Sequence, residues 1–196
     1  MTTTPAPRRR VLQLLPLLPA LEQRLAAGYD VTQLPAPGAE RDALLAEHGA
    51  SFEAAVTSAA RGIDAATAAA LSRLRVLSSF GVGLDKIDVA SFTARGIPVG
   101  YTPDVLNDCV ADLAFGLLID IGRRLTEGDR FVRAGRWETA AAVGAPGGFP
   151  LARKISGARL GIVGLGRIGQ QIARRASGFS MELRYHSRRP VEGVPY

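Results

Sequence analysis

The chain has 196 residues, a hydrophobic content of 47%, a formal net charge of +6 and a single cysteine, Cys109. This content is enough to bury the core of one large or two small domains, which excludes general disorder. The longest apolar runs, such as residues 113–122, contain acidic residues and are shorter than the roughly 20 residues that cross a bilayer. We therefore predict no membrane span, and the single cysteine excludes an internal disulfide and favours the cytoplasm.

The basic residues are spread along the chain. All of them except Lys86 and Lys154 are arginines, and only Arg8–Arg10 form a run of three. Without a basic patch or interleaved aromatic residues, this charge predicts solvated faces and no nucleic-acid site. The start of the chain, with arginines before an apolar run, resembles a secretory signal. Pro16 and Pro19 interrupt that run and no clear cleavage site follows, so we predict no export.

Residues 10–101 alternate short apolar segments with helical segments. The pattern predicts strands at 10–15, 29–34, 52–58, 75–80 and 97–101, and helices at 20–28, 38–49, 64–74 and 91–96. Gly28 and Gly49 end the first two helices, and Asp64 is the predicted cap of the third. Such alternation predicts βαβ units and a parallel sheet covered on both faces. This first domain would span residues 1–101.

A long helix is predicted next, over residues 102–124. Thr102 is the candidate N-cap and Pro103 would occupy the first helical position. The helix carries an apolar stripe of Val105, Val110, Leu113, Leu117 and Ile121. A second helix is predicted over 125–135, and the glycine-, alanine- and proline-rich residues 140–150 indicate an exposed arm, a candidate for dimerisation contacts.

The segment RLGIVGLGRIGQQIARR, which begins at Arg159, contains a GxGxxG motif. A strand is predicted before it (158–163), a helix after it (167–177) and a second strand at 181–187, which is the context of a dinucleotide site. The first glycine permits a tight turn, the second lets a pyrophosphate approach the backbone, and the third lets the helix pack closely on the strand. Backbone N–H groups at the helix start would meet the anion. The cofactor-binding candidates are Gly164, Leu165, Gly166, Arg167, Ile168 and Gly169. The alternative is a glycine-rich turn that binds no ligand.

The residues that would face the adenosine ribose favour a phosphorylated cofactor. About 20 residues beyond the glycines, an acidic residue usually accepts the 2′-hydroxyl of NAD. This chain has Ser187 there, followed by Arg188 and Arg189. A hydroxyl beside two guanidinium groups suits a 2′-phosphate, so we predict that NADP(H) is preferred over NAD(H). The alternative is that both arginines are solvent-facing residues at a strand end.

The sequence resembles the D-isomer-specific 2-hydroxyacid dehydrogenases, particularly their glyoxylate and hydroxypyruvate reductase branch. The resemblance rests on SFGVGLDKIDVASFTARGIPVGYTPDVLNDCVADLAFGLLI, GRW, ISGARLGIVGLGRIGQQIA and YHSRRP, in the family's order and spacing. It implies an α/β protein with a flavodoxin-like substrate domain (1–101), followed by an incomplete Rossmann NAD(P)-binding domain (102–196) that includes an interdomain helix and a dimerisation arm. It also implies a homodimer that reduces a small 2-keto acid to the D-2-hydroxy acid with NAD(P)H.

The resemblance further implies substrate contacts. Val82 and Gly83 match the turn whose backbone amides hold the substrate carboxylate, and a glycine-flanked turn can form such an anion nest. Taken without the resemblance, this turn could be merely structural. Ser58, at the end of the third strand, is a further candidate for the substrate cleft. Val110 lies on the interdomain helix near the nicotinamide.

The resemblance also indicates what this chain lacks. The family's catalytic arginine, glutamate and histidine would lie beyond Tyr196, and neither His48 nor His186 matches the proton donor. The two Rossmann strands present would normally be flanked on both sides, and without neighbours their edges are exposed. We therefore expect the chain to be the amino-terminal part of an enzyme, inactive by itself and without a metal site. The alternatives are a non-catalytic dinucleotide-binding or regulatory module, or an inactive gene fragment.

Overall fold

A computed structural model describes residues 8–195 of the chain. It contains two compact units, the first ending at Pro103 and the second beginning at Asp104. The start of the signal-like segment, residues 1–7, and Tyr196 lie outside the described residues. Within the described part, no helix has the length and apolar character needed to cross a membrane.

The first unit is a parallel five-stranded sheet with connecting helices. Its strands are β1 (Arg10–Gln13), β2 (Asp30–Gln33), β3 (Ala54–Ser58), β4 (Val76–Phe80) and β5 (Val99–Gly100). The helices between them are α1 (Pro19–Gly28), α2 (Ala39–His48), α3 (Ala65–Ala70) and α4 (Val89–Ala94). The strand order β2-β1-β3-β4-β5 is the flavodoxin-like order, which confirms the predicted fold class for this unit.

The two faces of this sheet are covered unequally. The chain moves from β1 to β2 in one direction and from β2 through β3 and β4 to β5 in the other, so right-handed crossovers place α1 on the face opposite α2, α3 and α4. On β4, Leu77 is fully buried, whereas Val76 and Phe80 on the other face are 38% and 48% exposed. Within the described residues, α1 is the single crossover helix on the face that carries Val76 and Phe80. The prediction of a sheet covered on both faces is therefore met only in part.

The second unit contains a βαβ element preceded by helices. Its elements are α5 (Asn107–Arg123), α6 (Leu125–Arg133), α7 (Arg136–Thr139), β6 (Arg159–Val163), α8 (Arg167–Ser177) and β7 (Glu182–His186). Strands β6 and β7 pair in parallel, with Ile162 opposite Tyr185 and Val163 opposite His186. This is the strand, turn, helix and strand of a partial Rossmann sheet, as predicted. Residues 140–150 form turns without helix or strand.

Helix α5 begins later than predicted. Thr102 does not cap it: its hydroxyl accepts a hydrogen bond from the amide of Gly81 at 3.1 Å, and its own amide donates to the Gly81 carbonyl at 3.0 Å. Asp104 has a left-handed backbone, with φ of 66°, which breaks any helix that would run through it. The helix therefore starts at Asn107, and the prediction of Pro103 as its first residue is wrong.

The buried face of α5 is not the predicted apolar stripe. Ala111 and Phe115 are its buried residues, and the Phe115 ring lies 5.2 Å from that of Phe179. Helix α8 contributes the fully buried Ala173 and Ala176 to the same unit. The stripe residues are between 41% and 79% exposed in this structure: Val105, Val110, Leu113, Leu117 and Ile121. Helix α5 is thus apolar on more than one face.

Candidate dinucleotide-binding site

The three glycines of the motif have three different local environments. Gly164 has φ of 95°, a conformation that side chains rarely allow, so it makes the tight turn after β6. A Cβ on Gly169 would lie 2.2 Å from the Gly164 carbonyl oxygen, so only glycine permits this close approach of helix and turn. A Cβ on Gly166 would meet no atom within 4 Å, which leaves its surroundings open to a ligand. These environments fit the roles that a dinucleotide turn requires.

The start of α8 presents free amides at this turn. The first helical hydrogen bond runs from the Gln170 amide to the Gly166 carbonyl at 2.9 Å, which leaves the amides of Arg167 and Ile168 outside the helical ladder. With the helix dipole behind them, these amides can bind an anion. Leu165 is only 1% exposed as a whole residue and packs in the core, so it supports the turn from below.

An open cleft of about 760 Å³ joins the turn to the segment that follows β7. Its lining residues are Val163, Gly164, Leu165, Gly166, His186, Ser187, Arg188, Arg189, Pro190 and Val191. The two segments meet because β6 and β7 are parallel neighbours, and the Gly164 amide donates to the His186 carbonyl at 2.7 Å. The candidates for the pyrophosphate and for the 2′-phosphate therefore line one cleft at the carboxyl edge of these strands.

Within this cleft, the arginines are better placed than the serine to meet a phosphate. The Ser187 hydroxyl donates to the carbonyl of Arg189, so its proton is already committed. Arg188 and Arg189 are exposed, and neither forms an ion pair with any residue in the range 8–195. Their guanidinium groups can give several hydrogen bonds to one phosphate.

The sequence did not single out the lining residues Val163, Pro190 and Val191. The Val191 amide donates to the Tyr185 hydroxyl at 3.4 Å. The Val191 side chain packs against the cluster of Ile162, Leu165 and Ala173. Pro190 follows the two arginines directly, and a proline at that position is the signal in the sequence for a segment outside the sheet.

The substrate candidates lie together in the first unit. Ser58 ends β3, and Val82 and Gly83 follow β4, so all three lie at the carboxyl edge of two adjacent parallel strands. The Ala59 amide donates to the Phe80 carbonyl at 3.1 Å, which links the two turns. The Ser58 hydroxyl accepts the Arg61 amide at 3.2 Å and is 8% exposed as a residue, so it stabilises its own turn.

The remaining candidates have ordinary surroundings. Val110 lies in the first turns of α5 in the second unit and is 41% exposed. His48 ends α2, where its Nε2 lies 3.5 Å from the Glu47 carboxylate and both side chains are exposed. Across residues 8–195 no group of three histidine, cysteine, aspartate or glutamate side chains is arranged to hold a metal ion.

These features can be compared with known proteins. The family model for the D-isomer specific 2-hydroxyacid dehydrogenase catalytic domain matches residues 13–186. The chain belongs to this family. The resemblance identified from the sequence motifs is thereby confirmed.

The relatives and solved structures of this family include reductases. Glyoxylate/hydroxypyruvate reductase A HPR2 of Arabidopsis thaliana is 42% identical over 186 residues, which cover 95% of this chain and 57% of that protein. A 2-hydroxyacid dehydrogenase from Ketogulonicigenium vulgare matches with a TM-score of 0.84 and 36% identity, over 96% of this chain and 57% of its own.

A third relative was solved with ligands. The NADPH-dependent glyoxylate/hydroxypyruvate reductase SmGhrB of Sinorhizobium meliloti, in complex with NADP and malonate, matches with a TM-score of 0.81 and 34% identity, over 96% of this chain and 56% of its own. The chain thus spans little more than half the length of these relatives.

Proposed function

We propose that this chain is the amino-terminal part of an oxidoreductase that reduces a small 2-keto acid to the D-2-hydroxy acid with NADPH. Glyoxylate and hydroxypyruvate are the expected kind of substrate. The observation that carries the proposal is the cleft that joins the glycine turn to Arg188 and Arg189. Family membership and the reductases among the relatives support it.

The chain's own residues would bind and orient the two ligands. The amides of Arg167 and Ile168 hold the pyrophosphate, and Arg188 and Arg189 hold the 2′-phosphate. The cofactor supplies the hydride when bound. The backbone amides of Val82 and Gly83 hold the substrate carboxylate, which orients the keto carbon.

The chain by itself would lack the proton donor of the reaction. Reduction of a keto group needs a proton for the new hydroxyl, and a positioned acid usually gives it. His48 lies on the surface at the end of α2, and His186 lies at the adenosine end of the cofactor cleft. Neither position suits a proton donor, so we propose that residues 1–196 alone are inactive.

The assembly and location of the protein are part of the proposal. Exposed apolar residues on α5, including Leu113, Leu117 and Ile121, support a homodimer of the complete protein. Sedimentation of the natural protein tests it, and a monomer at micromolar concentration would contradict it. The cysteine content, a single Cys109, supports the cytoplasm.

The alternatives are a non-catalytic dinucleotide-binding or regulatory module and an inactive gene fragment. The cofactor cleft favours the module over the fragment, because the cleft needs no proton donor to bind NADPH. The first test is the intact mass of the protein as its own cell makes it, together with NADPH titration. A mass well above 20.7 kDa with glyoxylate or hydroxypyruvate turnover supports the enzyme. A mass of 20.7 kDa with NADPH binding supports the module, and the same mass without binding supports the fragment.

A further inference from the structure

Ion pairs join the start of α5 to α8 along one seam. Arg175 contacts Asp112 through Nε at 2.5 Å and Asp108 through Nη2 at 3.1 Å. Nearer the glycine turn, Nε of Arg167 lies 3.1 Å from Oδ1 of Asp104. The seam therefore contains one pair beside the turn and a second group two helical turns further along α8.

The carboxylate of Asp104 is fixed independently of Arg167. Its backbone is left-handed, which aspartate tolerates better than most residues. The Asn107 side-chain amide donates to its Oδ1 at 2.8 Å. Asp104 lies three residues before Asn107, the first residue of α5, and is hydrogen-bonded to it, so its charge is held at a defined position.

Arg167 is the first residue of α8 and directly follows Gly166 in the turn. Its guanidinium group has five N–H donors, and the contact with Asp104 uses the Nε edge. The two terminal nitrogens can still donate to an anion. A free arginine side chain would lose conformational freedom on binding that anion, whereas a side chain already held by a carboxylate loses less.

We infer that Asp104 is a positioning residue of the dinucleotide site, which holds the Arg167 guanidinium beside the glycine turn so that its terminal nitrogens meet the cofactor pyrophosphate. This inference rests on the proposed function. The negative charge of Asp104 would oppose an anion at the turn, but its pairing with Arg167 offsets that charge. Both side chains are more than half exposed, so solvent screens the pair and its effect is modest.

The test compares Asp104→Asn with the parent chain, and uses Asp112→Asn as the matched control. Both substitutions remove one negative charge from the same seam, but only the first lies beside the turn. Isothermal titration with NADPH, pyrophosphate and adenosine 2′-monophosphate separates the two ends of the site. We expect Asp104→Asn to weaken NADPH and pyrophosphate binding by about threefold to fivefold and to leave adenosine 2′-monophosphate unchanged. Asp112→Asn should bind all three as the parent does.

A double-mutant cycle identifies the route of the effect. In an Arg167→Gln background, Asp104→Asn should cause no further loss of pyrophosphate affinity, because the side chain that it positions is gone. Three results would overturn the inference. The first is an equal loss of affinity in both backgrounds, and the second is an Asp104→Asn variant that binds pyrophosphate as tightly as the parent or more tightly. The third is a parent chain that does not bind pyrophosphate. A parent that binds pyrophosphate with the predicted dependence on Asp104 but does not bind NADPH would support the positioning role and contradict the proposed function.

Discussion

At the scale of single residues, the glycine motif combines a packing requirement with a binding requirement. Gly169 allows α8 to approach the Gly164 carbonyl, and Gly166 keeps space beside the turn free. Two glycines within four positions of the chain therefore have different roles, one in packing and one in leaving space for a ligand. Their surroundings in the folded chain determine which role each glycine has.

This difference predicts opposite outcomes for two alanine substitutions. Gly169→Ala should lower the free energy of unfolding by about 1–3 kcal/mol, because the new methyl group overlaps backbone. Gly166→Ala should leave that free energy within about 0.5 kcal/mol but weaken NADPH binding, since its methyl group points into the open side of the turn. Urea unfolding and NADPH titration of both variants check the pair. Equal stability losses in the two variants would contradict it.

Asp64 predicts a pH dependence of the first unit. Partial burial raises the pKa of this carboxyl, but hydrogen bonds from the Thr67 amide, Arg41 and the Thr67 hydroxyl outweigh burial and lower the pKa from 3.8 to about 2. Because the folded-state pKa is below the unfolded one, this stabilisation is fully present above pH 3.8 and is lost as the pH falls toward 2.

The variant Asp64→Asn tests this dependence. It should remove the pH-dependent part and lower stability at pH 7 by about 1 kcal/mol or less, given the half-exposed side chain. Unfolding free energies measured between pH 5 and pH 2 should fall more steeply for the parent than for the variant. Parallel profiles would show that Asp64 does not contribute.

At the scale of elements, the candidate cofactor site depends on the pairing of two strands. The glycine turn and Arg188 are about 20 residues apart in sequence, and the parallel register of β6 and β7 brings them to one cleft. The glycine turn follows β6 directly and Ser187–Arg189 follow β7 directly, so the two strands position both candidate binding segments. The proposed selectivity for a phosphorylated cofactor would therefore depend on the segment that follows β7.

Replacing both Arg188 and Arg189 by alanine should change cofactor preference. Loss of charge-assisted hydrogen bonds should weaken NADPH binding by at least about tenfold, whereas NADH, which has no 2′-phosphate, should bind almost unchanged. Fluorescence titration of parent and variant with both cofactors measures this. A parent chain that binds NADH more tightly than NADPH would contradict the predicted preference, and an equal loss for both cofactors would contradict the assigned role.

At the scale of the whole molecule, each of the two sheets in the described residues has apolar or edge surface that no other element covers. The sheet of the first unit leaves Val76 and Phe80 exposed on one face, and β6 and β7 form a sheet of only two strands. Parallel sheets in proteins are normally covered on both faces. The relatives are longer than this chain, which spans about 57% of the Arabidopsis thaliana reductase.

We predict that residues 1–196 by themselves do not catalyse the reduction. Purified residues 1–196, supplied with NADPH and either glyoxylate or hydroxypyruvate, should oxidise no NADPH above the rate without protein. The physical reason is that His48 and His186 are both unsuited to give a proton to the substrate. Absorbance at the NADPH band follows the reaction. Robust turnover would contradict the proposal that this part of the enzyme is inactive alone.

The sequence by itself determined the local elements and the motif. The period of the apolar residues and the glycine stops predicted the seven strands and most helices, though not the start of α5 or the short α7. Asp64 caps α3 as expected, with the Thr67 amide 2.8 Å from its carboxylate. The GxGxxG spacing and the two arginines predicted candidate binding residues, and these residues line one cleft. These features depend on residues that are close in sequence, so their physical causes can be read from short segments.

Only the tertiary structure decided the features that depend on distant neighbours. Thr102 bonds to Gly81 instead of capping α5, and the face of α5 that is buried is set by the packing of Phe115 against Phe179. The pairing of Asp104 with Arg167 joins residues 63 positions apart in sequence along a seam that no local pattern encodes. Each of these outcomes is a competition between possible partners, and the folded chain alone determines which partner is within reach.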